Sequence, residues 1–172
     1  LIIIELKDMI KLTAFKLYLF VYMLISIYTF FIFIILVQIK EELFLSVVHI
    51  ILIIWIFDTF SYLGGSLFKG KKLMPTISKG KTYNGLISGV VVSLILSSIY
   101  SFIIQGDTLK IISSSILIIF LAFLGDLVAS LLKRSVKLKD TGTLIPGHGG
   151  IIDRMDSFII VFFIFGVIQA FK

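Results

Sequence analysis

The amino-acid sequence predicts an all-α, polytopic integral membrane protein of about five transmembrane helices with basic loops on one side. Three observations carry that expectation. The chain is 59% hydrophobic with a mean hydropathy of +1.15, whereas soluble domains run to about 45–50% apolar. Its apolar residues fall into long runs separated by short polar stretches. Its basic residues are divided unequally between alternate connections. There is no cysteine, which excludes disulfides, thiolate metal sites and cysteine nucleophiles. The net charge of +6 is better explained by loop asymmetry and anionic headgroups than by nucleic acid, so no nucleic-acid partner is expected.

Leu1 to Lys16, with Lys7, Lys11 and Lys16 on a partly apolar background, reads as a surface amphipathic helix or as the remnant of a longer N-terminal region. It is too charged for a signal peptide. Leu17 to Ile39 carries no charge over 23 residues, enough to span about 30 Å of hydrocarbon. Lys40, Glu41 and Glu42 form a polar turn before a second run, Leu43 to Phe57, which continues through Asp58 to end near Phe68. A basic loop, Lys69 to Lys81, leads to a third span, Leu86 to Ile104. The turn Gln105 to Lys110 leads to a fourth, Ile111 to Leu132, with Asp126 inside it. A fifth, Ser157 to Phe171, has its first turn near Asp153. No repeat and no separate soluble domain is visible, so residues 1–172 read as a single membrane domain.

Counted by side, 13 of the 16 basic residues fall on the face that holds the N-terminus and the loops Lys69–Lys81 and Lys133–Arg154. The positive-inside rule makes that face cytosolic, and the alternation supports an odd number of spans with the N-terminus inside.

The residues with chemical potential concentrate between Ser130 and Asp156, where glycines and a proline punctuate a charged loop between two apolar segments. Asp126, Ser130, Lys133 and Arg134 stand at i, i+4, i+7 and i+8, on one helical face. A carboxylate inside a span is costly unless it faces a cavity, a partner or a metal. Such a stripe of carboxylate, hydroxyl and two cations suits a bound metal-phosphate. The bland alternative is an intramembrane ion pair of Asp126 with Lys133 or Arg134. Asp153 and Asp156, at i and i+3, share the first turn of the fifth span as ligands or as helix-start carboxylates. His148 precedes Gly149 and Gly150 without a second histidine close by, which argues against zinc and for loop geometry or a phosphate hydrogen bond. His49, inside the second span, reads as a packed or paired histidine. The block Trp55 to Gly85 adds Asp58, Gly64-Gly65 and a Lys/Gly loop, which contains no P-loop pattern.

The segment Ser130, Lys133-Arg134, Lys139-Asp140, Gly142, Pro146, His148-Gly149-Gly150, Asp153-Arg154 and Asp156 resembles the signature of the CTP-dependent phosphatidate cytidylyltransferases (CDP-diacylglycerol synthases). The block with Asp58, Thr59, Gly64, Gly65, Lys69, Gly70, Pro75, Ser78, Lys81, Thr82 and Gly85 is similar to that family's other marked region. It departs at Lys79, where proline is usual, and at Asn84, where glutamate is frequent. Together the two blocks make residues 55–156 the expected catalytic core. Family members usually have several more N-terminal spans.

The resemblance implies transfer of CMP from CTP to phosphatidic acid in an inner-membrane enzyme of phospholipid biosynthesis. It implies Mg2+ paired with K+ on Asp126 and Asp153, with Asp156 as a further candidate ligand. Lys133 and Arg134 are then catalytic cations that neutralise phosphate charge. Ser130, Lys81, Lys139, Asp140, His148, Gly149, Gly150, Arg154 and Asp58 are candidate substrate contacts, and a homodimer is compatible. The alternatives are a CTP-dependent transferase acting on an isoprenoid lipid and an inactive, truncated homologue acting as a membrane scaffold. A transporter is the generic alternative for intramembrane carboxylates.

Overall fold

The computed structural model describes residues 41–135 and 152–170, apart from the side chains of residues 41–43, 79, 152–155, 169 and 170. In chain order the elements are α1 (Glu41–Leu67), β1 (Lys72–Met74), β2 (Ser78–Thr82), α2 (Tyr83–Ile103), α3 (Thr108–Ser135) and α4 (Ile152–Ala170). The chain divides into two compact units, one of residues 40–124 and one to which residues 125–135 and α4 belong. The expected surface segment Leu1–Lys16, the expected span Leu17–Ile39 and the loop of residues 136–151 lie outside the described residues.

The chain is an all-α polytopic membrane protein. Phe44–Leu67 of α1 (24 residues), α2 (21) and α3 (28) are each long and apolar enough to cross a bilayer, since about 20 residues suffice. The apolar part of α4, Asp156–Ile168, is shorter. α2 shows the inverted pattern that a lipid solvent favours. Ile87, Val91, Ile95, Ile99 and Phe102 are exposed along one face. Gly85, Gly89, Ser93, Ser97 and Ser101 are buried along another, every fourth residue. Lipid tails are as apolar as isoleucine, so helices associate through small residues that let backbones approach and through hydrogen bonds.

Both devices operate in the first unit. A Cβ added at Gly85 would run into the Ser61 carbonyl oxygen of α1, and one at Gly89 would meet the Ser61 hydroxyl and the Phe57 carbonyl. Further along, Ser97 Oγ lies 2.6 Å from Ser115 Oγ of α3, which lies 2.9 Å from His49 Nε2 of α1. The His49 ring stacks on Tyr100 at 5.2 Å, and the Tyr100 hydroxyl donates to the Leu45 carbonyl at 3.0 Å. His49 is therefore packed and paired, as expected. Val47, Ile50, Ile53, Ile54 and Phe57 form the apolar core beside this chain of polar contacts.

The expected basic loop is more ordered than the sequence suggests. Lys69 and Gly70 take positive φ (49° and 115°) and turn the chain out of α1. β1 and β2 then pair antiparallel, Lys72 opposite Thr82 and Met74 opposite Ser78, with an irregularity between. The Ile77 N–H donates to the Met74 carbonyl at 3.1 Å, closing the turn, and Tyr83 N–H donates to Lys71 at 3.1 Å. Three residues of strand are too few for a periodic signal. Thr82 ends β2 and caps α2, its buried hydroxyl accepting from Gly85 N–H at 3.1 Å. α2 thus begins at Tyr83 rather than Leu86. Asp107 caps α3, accepting from the N–H groups of Leu109 (3.1 Å) and Lys110 (3.3 Å), so that helix begins at Thr108 rather than Ile111. Glu41 and Glu42, expected in a turn, already belong to α1.

The α1–α2 contact gives a direct test. Gly85→Ala forces backbone apart and is expected to cost about 1–3 kcal/mol, read as a lower unfolding temperature in detergent. Gly166→Ala, with nothing within 4 Å of the added Cβ, leaves that temperature unchanged or raises it. Equal temperatures for wild type and Gly85→Ala would contradict the packing.

Candidate functional site

In the second unit, the last part of α3 meets the start of α4 backbone to backbone. A Cβ on Gly125 would stand 2.5 Å from the Asp156 carbonyl oxygen and 3.3 Å from Ser157 Cα. Only glycine fits there without displacing α4. The residue after it is Asp126, whose Oδ1 accepts from the Ser130 hydroxyl at 3.3 Å. Two turns on from Asp126, Lys133 extends its Nζ to 3.9 Å from Asp156 Oδ2, with the two side chains only 12% and 10% exposed. The other Asp156 oxygen accepts from the Ser157 N–H at 2.9 Å.

The sequence places Asp126, Ser130, Lys133 and Arg134 on one face. The structure joins Asp126 to Ser130 and turns Lys133 to α4, and it leaves Arg134 exposed at the helix end. Lys133 and Arg134 occupy the last turn of α3, where cations complement the helix dipole. Asp156 lies in the second turn of α4, which starts at Ile152, so it is past the capping position. Asp153 and Arg154 belong to the first turn of α4, where the dipole favours anions; their side chains lie outside those described. Lys139, Asp140, His148, Gly149 and Gly150 fall in residues 136–151, outside the described residues.

Among the described side chains of this unit the carboxylate donors are those of Asp126 and Asp156, and the chain has no cysteine. Among the described residues no group of three or more His, Cys, Asp or Glu gathers. Magnesium is typically held by one or two carboxylates plus substrate phosphates rather than by an all-protein cage. The donor chemistry therefore fits a hard cation that arrives with a phosphate ligand.

The first unit holds the other marked block. Asp58 and Thr59 are exposed on α1, beside the buried Phe57. Lys81, in β2, sets its Nζ 4.7 Å from the centroid of the Phe123 ring of α3, a cation–π contact that holds the ammonium in place. Asn84 donates through Nδ2 to the Phe68 carbonyl at 3.3 Å. A Cβ on Gly70 would come 2.7 Å from the same nitrogen. Asn84 thus joins the end of α1 to the start of α2 by donating a hydrogen bond, which an ionised glutamate cannot do. Asn84 therefore has a local structural use. Gly125 escaped the sequence reading, although a glycine directly before an intramembrane carboxylate was the available signal.

A double-mutant cycle tests the Lys133–Asp156 pair. Lys133→Met and Asp156→Leu are each expected to destabilise the chain, and the double variant should lose less than their sum by about 1–3 kcal/mol. Strict additivity in detergent unfolding would show that the two groups do not interact.

The sequence matches the family model described as "Cytidylyltransferase family" over residues 3–171. It is 40% identical over 116 residues to a phosphatidate cytidylyltransferase of Rickettsia conorii, covering 63% of this chain and 50% of that protein. It is 42% identical over 118 residues to one from Staphylococcus haemolyticus, covering 67% and 45%, and 41% identical over 111 residues to one from Bacillus subtilis, covering 63% and 41%. The chain spans about half the length of the curated relatives it matches.

Proposed function

The chain belongs to the cytidylyltransferase family, and from that premise we propose that it transfers CMP from CTP to phosphatidic acid, giving CDP-diacylglycerol and pyrophosphate. The observation that carries this reading is the gathering of Asp126, Ser130, Lys133 and Asp156 where α3 and α4 touch at Gly125. These residues belong to a charged site inside an apolar chain, the setting that a phosphate reaction on a lipid requires.

In the proposed reaction an oxygen of the lipid phosphate attacks the α-phosphorus of CTP in line. A new P–O bond forms and the bond to pyrophosphate breaks. The nucleophile is already an anion, so no strong general base is needed. The work of the protein is positioning and charge neutralisation. Lys133, Arg134 and Lys81 supply positive charge to phosphate oxygens, and Ser130 orients the Asp126 carboxylate. Asp58, Lys139, Asp140, His148, Gly149, Gly150 and Arg154 are the further proposed contacts. Asp126 and Asp153, with Asp156, would hold Mg2+ paired with K+, which would offset phosphate charge. The basic connections are proposed to face the cytosol, where CTP is available, in the inner membrane of the cell.

The test is conversion of labelled CTP to CDP-lipid by the purified chain in mixed micelles. Phosphatidic acid is the expected acceptor, a polyprenyl phosphate the comparison. Asp126→Asn and Asp153→Asn are each expected to reduce turnover by at least about 100-fold. Turnover only with the polyprenyl phosphate would overturn the substrate assignment, and no binding or turnover of CTP would overturn the activity.

A further inference from the structure

Besides Lys81, the β-hairpin and the turn that leads into it carry lysines to which the proposed reaction assigns no role. Lys69, Lys71 and Lys72 are exposed there. They directly follow Leu67 and Phe68, whose side chains are 72% and 68% exposed. From Thr59 to Gly106 the sequence contains no carboxylate at all, so these lysines have no acidic partner from the hairpin or from the flanking helix ends. The hairpin joins the ends of two membrane-length helices, α1 and α2. It therefore sits at the membrane surface, where Tyr62 and Tyr83, both exposed, occupy the level at which aromatic hydroxyls favour the boundary between lipid and water.

We propose that the hairpin is a membrane-surface clamp whose Lys69, Lys71 and Lys72 bind the anionic headgroups of the surrounding bilayer. Leu67 and Phe68 would enter the boundary between headgroups and acyl chains, as apolar anchors of interfacial segments do. The adjacent lysines would lay their alkyl stems along the same boundary with their ammonium groups at the phosphates. A lone nucleotide is the poorer match. A phosphate pocket in water would draw its lysines inward, as Lys81 is drawn onto Phe123, and would not set large apolar side chains in the open beside them. The hairpin is held for this task by its strand pairing and by the Asn84–Phe68 bond. The surface role stands apart from the transfer reaction and holds or fails without it.

The absence of cysteine makes the experiment clean. Thr76→Cys, at the exposed hairpin turn, takes a polarity-sensitive fluorophore, and the labelled full chain is reconstituted into vesicles. Expected is a blue shift when phosphatidylglycerol is added to phosphatidylcholine, reversed by raising the salt. Each lysine near an anionic surface is worth about fivefold in binding. Replacing Lys69, Lys71 and Lys72 together by Gln should therefore abolish the lipid-charge-dependent blue shift, and replacing all three by Arg should retain it. A signal indifferent to lipid charge, or unchanged in the glutamine variant, would overturn the proposal. So would an equal shift produced by CTP in purely neutral vesicles, which would assign the lysines to the nucleotide.

Discussion

Helix backbones can touch inside a bilayer only where no side chain intervenes, and each compact unit of this chain is organised around such a place. In the unit of residues 40–124 it is the contact of Gly85 and Gly89 with Ser61 and Phe57. In the other it is Gly125 against Asp156 and Ser157. The driving force differs from that of a soluble core. Apolar side chains gain nothing by leaving lipid, so packing and hydrogen bonds decide which faces meet. That is why α2 buries its glycines and serines and turns isoleucine and valine outward.

The polar groups admitted by this packing serve two purposes. His49, Ser115, Ser97 and Tyr100 link α1, α2 and α3 through contacts of 2.6–3.0 Å and a stacked ring pair. Such groups are expensive in hydrocarbon unless paired, so they also fix the register in which the helices meet. At Gly125 the polar groups are charged. Lys133 and Asp156 are almost fully covered, and a buried pair loses much of its attraction to desolvation. Under the proposed reaction the pair serves through what it presents, an ammonium and carboxylates at one helix crossing, rather than through stability.

The sequence was most legible where a physical requirement leaves a long trace. Spans of 21 to 28 residues announce themselves by length alone, and α1, α2 and α3 begin within three residues of the expected positions. Asp126 stood out because a carboxylate inside a span has to be explained, and the i, i+4 spacing that put Ser130 beside it is seen as a hydrogen bond. The hairpin was illegible because strands of three and five residues carry no periodicity. The inward serine stripe was hidden because serine is compatible with either face of a membrane helix. Ser115 as the link between His49 and Ser97 depends on contacts across 66 and 18 residues, which no local pattern encodes. The same holds for the partner that Lys133 finds on the next helix, Asp156.

The proposed transfer reaction requires the helix crossing at Gly125 to frame a site for phosphate and cation. The most direct test is binding of Mn2+ with CTP, followed by electron paramagnetic resonance, in wild type and Gly125→Ala, with unfolding measured on the same samples. A single methyl group at this place displaces the Asp156 backbone without removing any charged group. Nucleotide-dependent Mn2+ binding should weaken by at least about tenfold in a chain that still unfolds cooperatively, as expected when ligating groups shift by a fraction of an ångström to an ångström. Wild-type affinity in Gly125→Ala would mean that the site is built elsewhere.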